Sequence, residues 1–116
     1  MKAIKLCFIC ILVTLTGCKS NEIYYWGSYE STLYDYLKEP SEQSLTKHKN
    51  QLEFIVATAP VKNKRVPPGV YFELGMIEAK LGNMTRSVEL LNLEKSHFPE
   101  ATTYVNKALA NLEGNS

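Results

Sequence analysis

PGVYFELGMIEAKLGNMTRSVELLNLEKSHFPEA, residues 68–101, is the stretch on which the fold turns. Val70, Leu74, Ile77 and Leu81 recur three or four residues apart, with Tyr71 beside them, and this spacing predicts a helix over 69–81. Gly82-Asn83 reads as a helix stop and a tight turn. Met84, Val88 and Leu91, with Leu90 adjoining, predict a second helix over 84–97, which Phe98-Pro99 closes. Two helices joined by two residues pack back to back as an antiparallel hairpin. Gly75 and Ser87 are small where the helices should cross, and larger side chains there would hold the axes apart.

Working outward, Ala101, Tyr104, Val105, Ala108, Leu109 and Leu112 form one helical face, predicting a helix over 100–112. Upstream, Leu45, Leu52, Ile55 and Ala59 define a helix over 41–59, with Phe54 and Val56 beside the stripe, Ser41 as its N-cap and Pro60 as its end. His48 falls on that apolar stripe without a metal-ligating residue one turn away, so it reads as a partly buried structural histidine. Tyr29, Leu33, Tyr36 and Leu37 predict a first helix over 29–38, broken at Glu39-Pro40. Lys62, Lys64 and Arg65 read as solvated charge on a connector. No stretch alternates with the period of a strand. The expectation is an all-α domain of about five helices over 24–116.

The segment from Pro68 to Ala101 has the length of one tetratricopeptide repeat, 34 residues, and resembles that motif. Tyr71 stands at the early aromatic position, Leu74-Gly75 at the paired leucine-glycine, Gly82-Asn83 at the turn, Ser87 at the small position of the second helix and Pro99 at the terminal proline. Glu78 and Glu94 depart from the motif, where an aromatic and a small residue are usual, and weaken the case for canonical stacking between repeats. A single repeat does not bury its own face, so the helix over 100–112 serves as the start of a next unit or as a cap. The two upstream helices then form a diverged preceding hairpin.

The amino terminus carries a different kind of information. Lys2 and Lys5 precede a short apolar run ending Leu15-Thr16-Gly17-Cys18, the charged, apolar and small-residue parts of a secretory signal. The run is too short to cross a bilayer, which takes about 20 apolar residues. A signal ending on small-small-Cys resembles the lipobox of bacterial lipoproteins. The resemblance implies cleavage of residues 1–17 between Gly17 and Cys18, lipidation of Cys18 by diacylglycerol and N-acylation of its new amino group. Residues 18–23 then act as a lipidated tether. Cys7 and Cys10 spell C-x-x-C but fall inside the signal and leave with it, so the mature domain keeps no free thiol, which suits an oxidising envelope. Lys19 stands where an aspartate would hold a lipoprotein at the inner membrane, so the expected location is the periplasmic face of the outer membrane.

Composition excludes several functions. Without Lys2 and Lys5 the 13 basic residues fall to 11 against 12 acidic ones, a net charge near −1, so no broad field favours nucleic acid or an anionic membrane face. The 99 residues from Cys18 onward hold one domain. His48, His97 and Asp35 are the sparse raw material for catalysis. No phosphate loop or metal-ligand spacing accompanies them, so the expectation is no catalytic residue, no metal and no cofactor beyond the acyl chains.

Tyr24-Tyr25-Trp26-Gly27-Ser28-Tyr29-Glu30 with Leu33-Tyr34, then Val66-Pro67-Pro68-Gly69-Val70-Tyr71 and Glu73-Leu74-Gly75, resemble a family of small bacterial lipoproteins classed as a domain of unknown function. That resemblance implies a subunit of an outer-membrane lipoprotein assembly, with other envelope lipoproteins as partners, one of them similar to the curli secretion channel. The partner-binding residues expected are Tyr24, Tyr25 and Trp26, together with Tyr71 and Glu78 on the inner face of the helix over 69–81. Within the aromatic group, Trp26, Tyr29 and Leu33 are expected to complete the core, leaving Tyr24 and Tyr25 exposed. The functional expectation is a lipid-anchored helical-repeat adaptor. The alternative is a carrier that holds a small ligand or cell-wall fragment in an aromatic pocket.

Overall fold

The computed structural model describes residues 22–114. The signal sequence, Gly17, Cys18 and most of the tether lie outside those residues. Among the described residues five α-helices follow one another: α1 (Tyr29–Lys38), α2 (Glu42–Val61), α3 (Val70–Lys80), α4 (Met84–His97) and α5 (Thr102–Gly114), with a 3₁₀ turn at Pro99–Ala101 before α5. The all-α expectation holds. Among the described residues extended pairing is limited to one parallel bridge, Tyr24 with Arg65.

Local chemistry explains most boundaries. Ser41 caps α2: its hydroxyl accepts from the Ser44 N–H, while Ser44 Oγ accepts from the Ser41 N–H, both at 3.0 Å. Pro60 does not end α2. It sits in the last turn, and the chain leaves one residue later, after the Lys62 N–H has bonded Thr58 and Ala59 carbonyls. The α3–α4 turn satisfies the last carbonyls of α3 through the Asn83 N–H to Glu78 and the Gly82 N–H to Ala79, with Gly82 at a φ of 88° that a side chain would strain. The helix expected over 100–112 starts with the 3₁₀ turn because Pro99 supplies no N–H, and it runs to Gly114.

Packing divides into two adjoining clusters. Leu52, Ile55 and Ala59 of α2 meet Val70, Tyr71, Leu74 and Ile77 of α3 and Leu90 of α4. Leu91 of α4 meets Phe98, Ala101, Val105 and Ala108 around α5. The hairpin of α3 and α4 is the tightest pairing, and Gly75 is the reason. A Cβ at Gly75 would lie 3.2 Å from the Ser87 carbonyl oxygen and 3.2 Å from the Leu91 side chain, so the bare backbone sets the approach.

That approach also corrects the expected faces. Leu81, Met84 and Val88 were to line the hairpin, yet each is exposed. The buried face of α4 is Ser87, Leu90, Leu91 and Glu94, because the small Ser87 faces Gly75 and rotates the larger residues to either side.

Candidate functional site

Buried polar groups are costly without partners, so those this small domain keeps mark its organising contacts. Three carboxylates stand out. The first is Glu94, fully buried on α4. One of its oxygens accepts from the Gly69 N–H at 2.6 Å and the other from the Phe72 N–H at 3.4 Å. These are donors at the start of α3, where the helix has no internal acceptor and carries partial positive charge. Gly69 and Asn83 provide no side-chain cap to their helices, so Glu94 caps α3 from a neighbouring helix. Burial and then the Glu94 charge raise the Tyr71 phenol above its ordinary range, and the Tyr104 phenol likewise.

The second is Glu78, buried on α3. Its oxygens meet Lys49 Nζ of α2 at 3.1 Å and the Asn83 amide at 2.7 Å. Burial pushes the Glu78 carboxyl up, but the Asn83 and Lys49 donors outweigh that and hold it below its ordinary 4.5. The Glu78 bond leads in holding the Lys49 ammonium above its ordinary 10.5. The carboxyl therefore contributes stability that is complete above pH 4.5 and lost as pH falls through its depressed value. The lysine contributes below pH 10.5 and loses it as pH rises further. Urea midpoints between those limits should be flat for this pair and drop in acid. Glu78→Gln should lower the plateau and make the acid drop shallower. An unchanged acid slope in that variant would remove Glu78 as its source.

The third is Glu73, on the opposite face of α3. Tyr29 Oη of α1 donates to it at 2.6 Å, and His48 Nε2 of α2 meets its other oxygen. His48 Nδ1 lies 2.7 Å from Thr32 Oγ1 of α1. Four side chains thus tie three helices into one network. His48 is fully rather than partly buried, and its ring packs 5.3 Å from that of Tyr29. Burial, then the Glu73 carboxylate, raises the Tyr29 phenol well above its ordinary 10. Above His48 and Glu73 lies an open groove of about 240 Å³ between α1 and α3, walled by Leu33, Leu37, Leu45, Met76 and Ile77. Leu37 is 66% exposed and Met76 39%.

The residues expected to bind a partner are placed differently. Tyr71 is buried and stacked on His97 with ring centres 5.3 Å apart. Glu78 is the internal ion pair just described. Both face the neighbouring helices rather than an open surface, because the side of α3 that packs on α2 and α4 is the side on which they lie. Tyr24 and Tyr25 are half-buried, on Phe98 and Phe54 respectively, because the bridge to Arg65 turns these neighbours to opposite sides of an extended strap. Trp26, expected inside, is 42% exposed and meets Tyr29 only edge-on. Thr32 carried no signal of its own in the sequence; Glu73 stood only within the Glu73-Leu74-Gly75 stretch of the family resemblance, and Glu94, like Glu78, broke the repeat pattern.

A family model described as a domain of unknown function, DUF4810, matches residues 23–108. The chain belongs to that family. The match runs from the strap through the middle of α5 and takes in both hairpins and the whole polar network. No curated protein and no solved structure matches the chain. Among the described residues no helix is long and apolar enough to cross a membrane, and no three His, Cys, Asp or Glu side chains are grouped to hold a metal ion.

Proposed function

We propose that this protein is a lipid-anchored helical-repeat adaptor, held at the periplasmic face of the outer membrane through Cys18 and binding an apolar-faced helix of another envelope lipoprotein in the α1–α3 groove. The observation that carries it is the groove itself, whose walls expose Leu37 and Met76 to solvent beside the His48–Glu73 contact. The repeat reading is supported by the order of packing, in which each helix packs on the next, with the α3–α4 hairpin closest. Side chains also reach between odd-numbered helices: Tyr29 of α1 bonds Glu73 of α3, and Phe72 of α3 meets Tyr104 of α5 edge-on at 5.0 Å.

Thr32, His48 and Glu73 line up as hydroxyl, imidazole and carboxylate, but we read them as a tie between helices. The Thr32 hydroxyl is buried, lies within reach of the Ser28 and Tyr29 carbonyls and is absent from the groove wall, so a substrate has no path to it. A carrier role is less favoured. Tyr24, Tyr25 and Tyr29, which would have lined an aromatic pocket, pack on the core instead.

Envelopes from palmitate-labelled cells test the reading. The protein should carry label that Cys18→Ala abolishes, and a lipoprotein should co-purify with it in fixed ratio. Leu37→Glu with Met76→Glu should cut that recovery about tenfold, the loss of a central apolar contact. Label on Cys18→Ala would sink the anchor, and full recovery with the groove variant would sink the groove.

A further inference from the structure

The strap at the start of the domain and the loop after α2 are one structural unit. The Arg65 N–H donates to the Ile23 carbonyl at 2.9 Å, and the Tyr25 N–H donates to the Arg65 carbonyl at 3.0 Å. The chain therefore enters the domain alongside Lys62, Lys64 and Arg65. Among the described residues none of these three cations forms an ion pair with a carboxylate, whereas Lys47, Lys49 and Arg86 each do. Aromatic rings hold two of them in place without neutralising them. Lys62 lies over Tyr25 at 5.9 Å, and the Arg65 guanidinium lies over both Phe98 and Tyr24, at 5.2 and 5.8 Å. Two large apolar side chains flank the cations in solvent, Ile23 at 64% and Val61 at 82% exposure.

Basic and apolar side chains on one exposed edge are the composition that settles on an anionic membrane surface. We propose that this edge rests on the anionic phospholipid headgroups of the leaflet that holds the anchor, so that the domain stands on the membrane on its strap and α2–α3 loop. The inference rests on the Cys18 anchor. Four residues separate Cys18 from Ile23, and the five chain steps between them, fully extended, span about 17 Å, so the anchor keeps the start of the strap within that distance of the headgroups. Confinement at that range makes even weak charge contacts effective. Glu22 is the one carboxylate in the strap, and it leaves the edge with a clear positive excess.

Trp26 is the sole tryptophan and lies one residue beyond the Tyr25–Arg65 bond, so its fluorescence reports this edge. The full lipidated protein is reconstituted into phosphatidylethanolamine vesicles with about one third phosphatidylglycerol, carrying a dansyl-headgroup lipid as energy acceptor. Transfer from Trp26 should fall about twofold when phosphatidylglycerol is replaced by phosphatidylcholine, when about 0.5 M sodium chloride screens the contact, or in K62E/K64E. K62Q/K64Q should give a smaller fall and checks the result with a milder change. Protein that floats with the vesicles but whose transfer ignores lipid charge, salt and both variants overturns the inference and leaves the anchor standing. Protein that does not float overturns the anchor and the inference with it.

Discussion

Replacing Glu94 with alanine should lower the stability of the domain by about 3 kcal/mol. The substitution removes the acceptor for the Gly69 and Phe72 N–H groups, the charge that faces the start of α3, and the volume of a fully buried side chain at the junction of α3, α4 and α5. No side-chain cap from Gly69 stands in for Glu94, so both half-buried donors lose their carboxylate partner. In a domain of this size the melting temperature should drop by roughly 12–24 °C. Glu94→Gln should lose about half as much. Its oxygen replaces one acceptor, but its amide then points an N–H group at a second N–H. If thermal unfolding showed Glu94→Ala within about 0.5 kcal/mol of the natural protein, the capping role would be wrong.

Replacing His48 with alanine should cost about 3 kcal/mol as well, by a different route. The imidazole fills space between α1, α2 and α3 and links Thr32 to Glu73. Thr32 has backbone carbonyls within reach, so the loss is shared between the void and the broken contact with Glu73. A double-mutant cycle with Glu73→Gln separates the two. The pair of changes should cost about 1–2 kcal/mol less than the two single changes taken together, since residues in one network couple. Strict additivity in urea unfolding would mean that His48 acts by packing alone.

How much was legible in the chain depends on the kind of signal. The helices at Tyr29–Lys38 and Met84–His97 agree with their sequence spacing to the residue, because local propensity and stop signals act within a few positions. The same holds for the Gly75–Ser87 crossing, where small residues can be read directly. The buried face of α4 was not legible. Met84, Val88 and Leu91 make as good a stripe as Leu90, Leu91 and Glu94, and periodicity prefers the apolar set. The tight approach at Gly75 chooses between them. The polar residues were hardest of all. A glutamate on a helix looks solvated by default, and Glu78 and Glu94 looked like flaws in a repeat. They are buried where the repeat pattern breaks because each has a donor waiting, Lys49 with Asn83 for one and the start of α3 for the other.

The division between chain and fold follows from range. Helix type, helix order, the tight hairpin and the expectation of a lipid-modified Cys18 all rest on residues within one or two turns of each other, so the linear order of residues suffices for them. Which face each helix buries rests on contacts between residues about 12 to 45 positions apart, such as Gly75 with Ser87, Gly69 with Glu94 and Tyr29 with Glu73. Those depend on how closely two backbones approach and which side chain fills the space left. That is why Tyr71 and Glu78 moved from a supposed binding surface to the interior, while Leu37 and Met76 emerged as the walls of the groove.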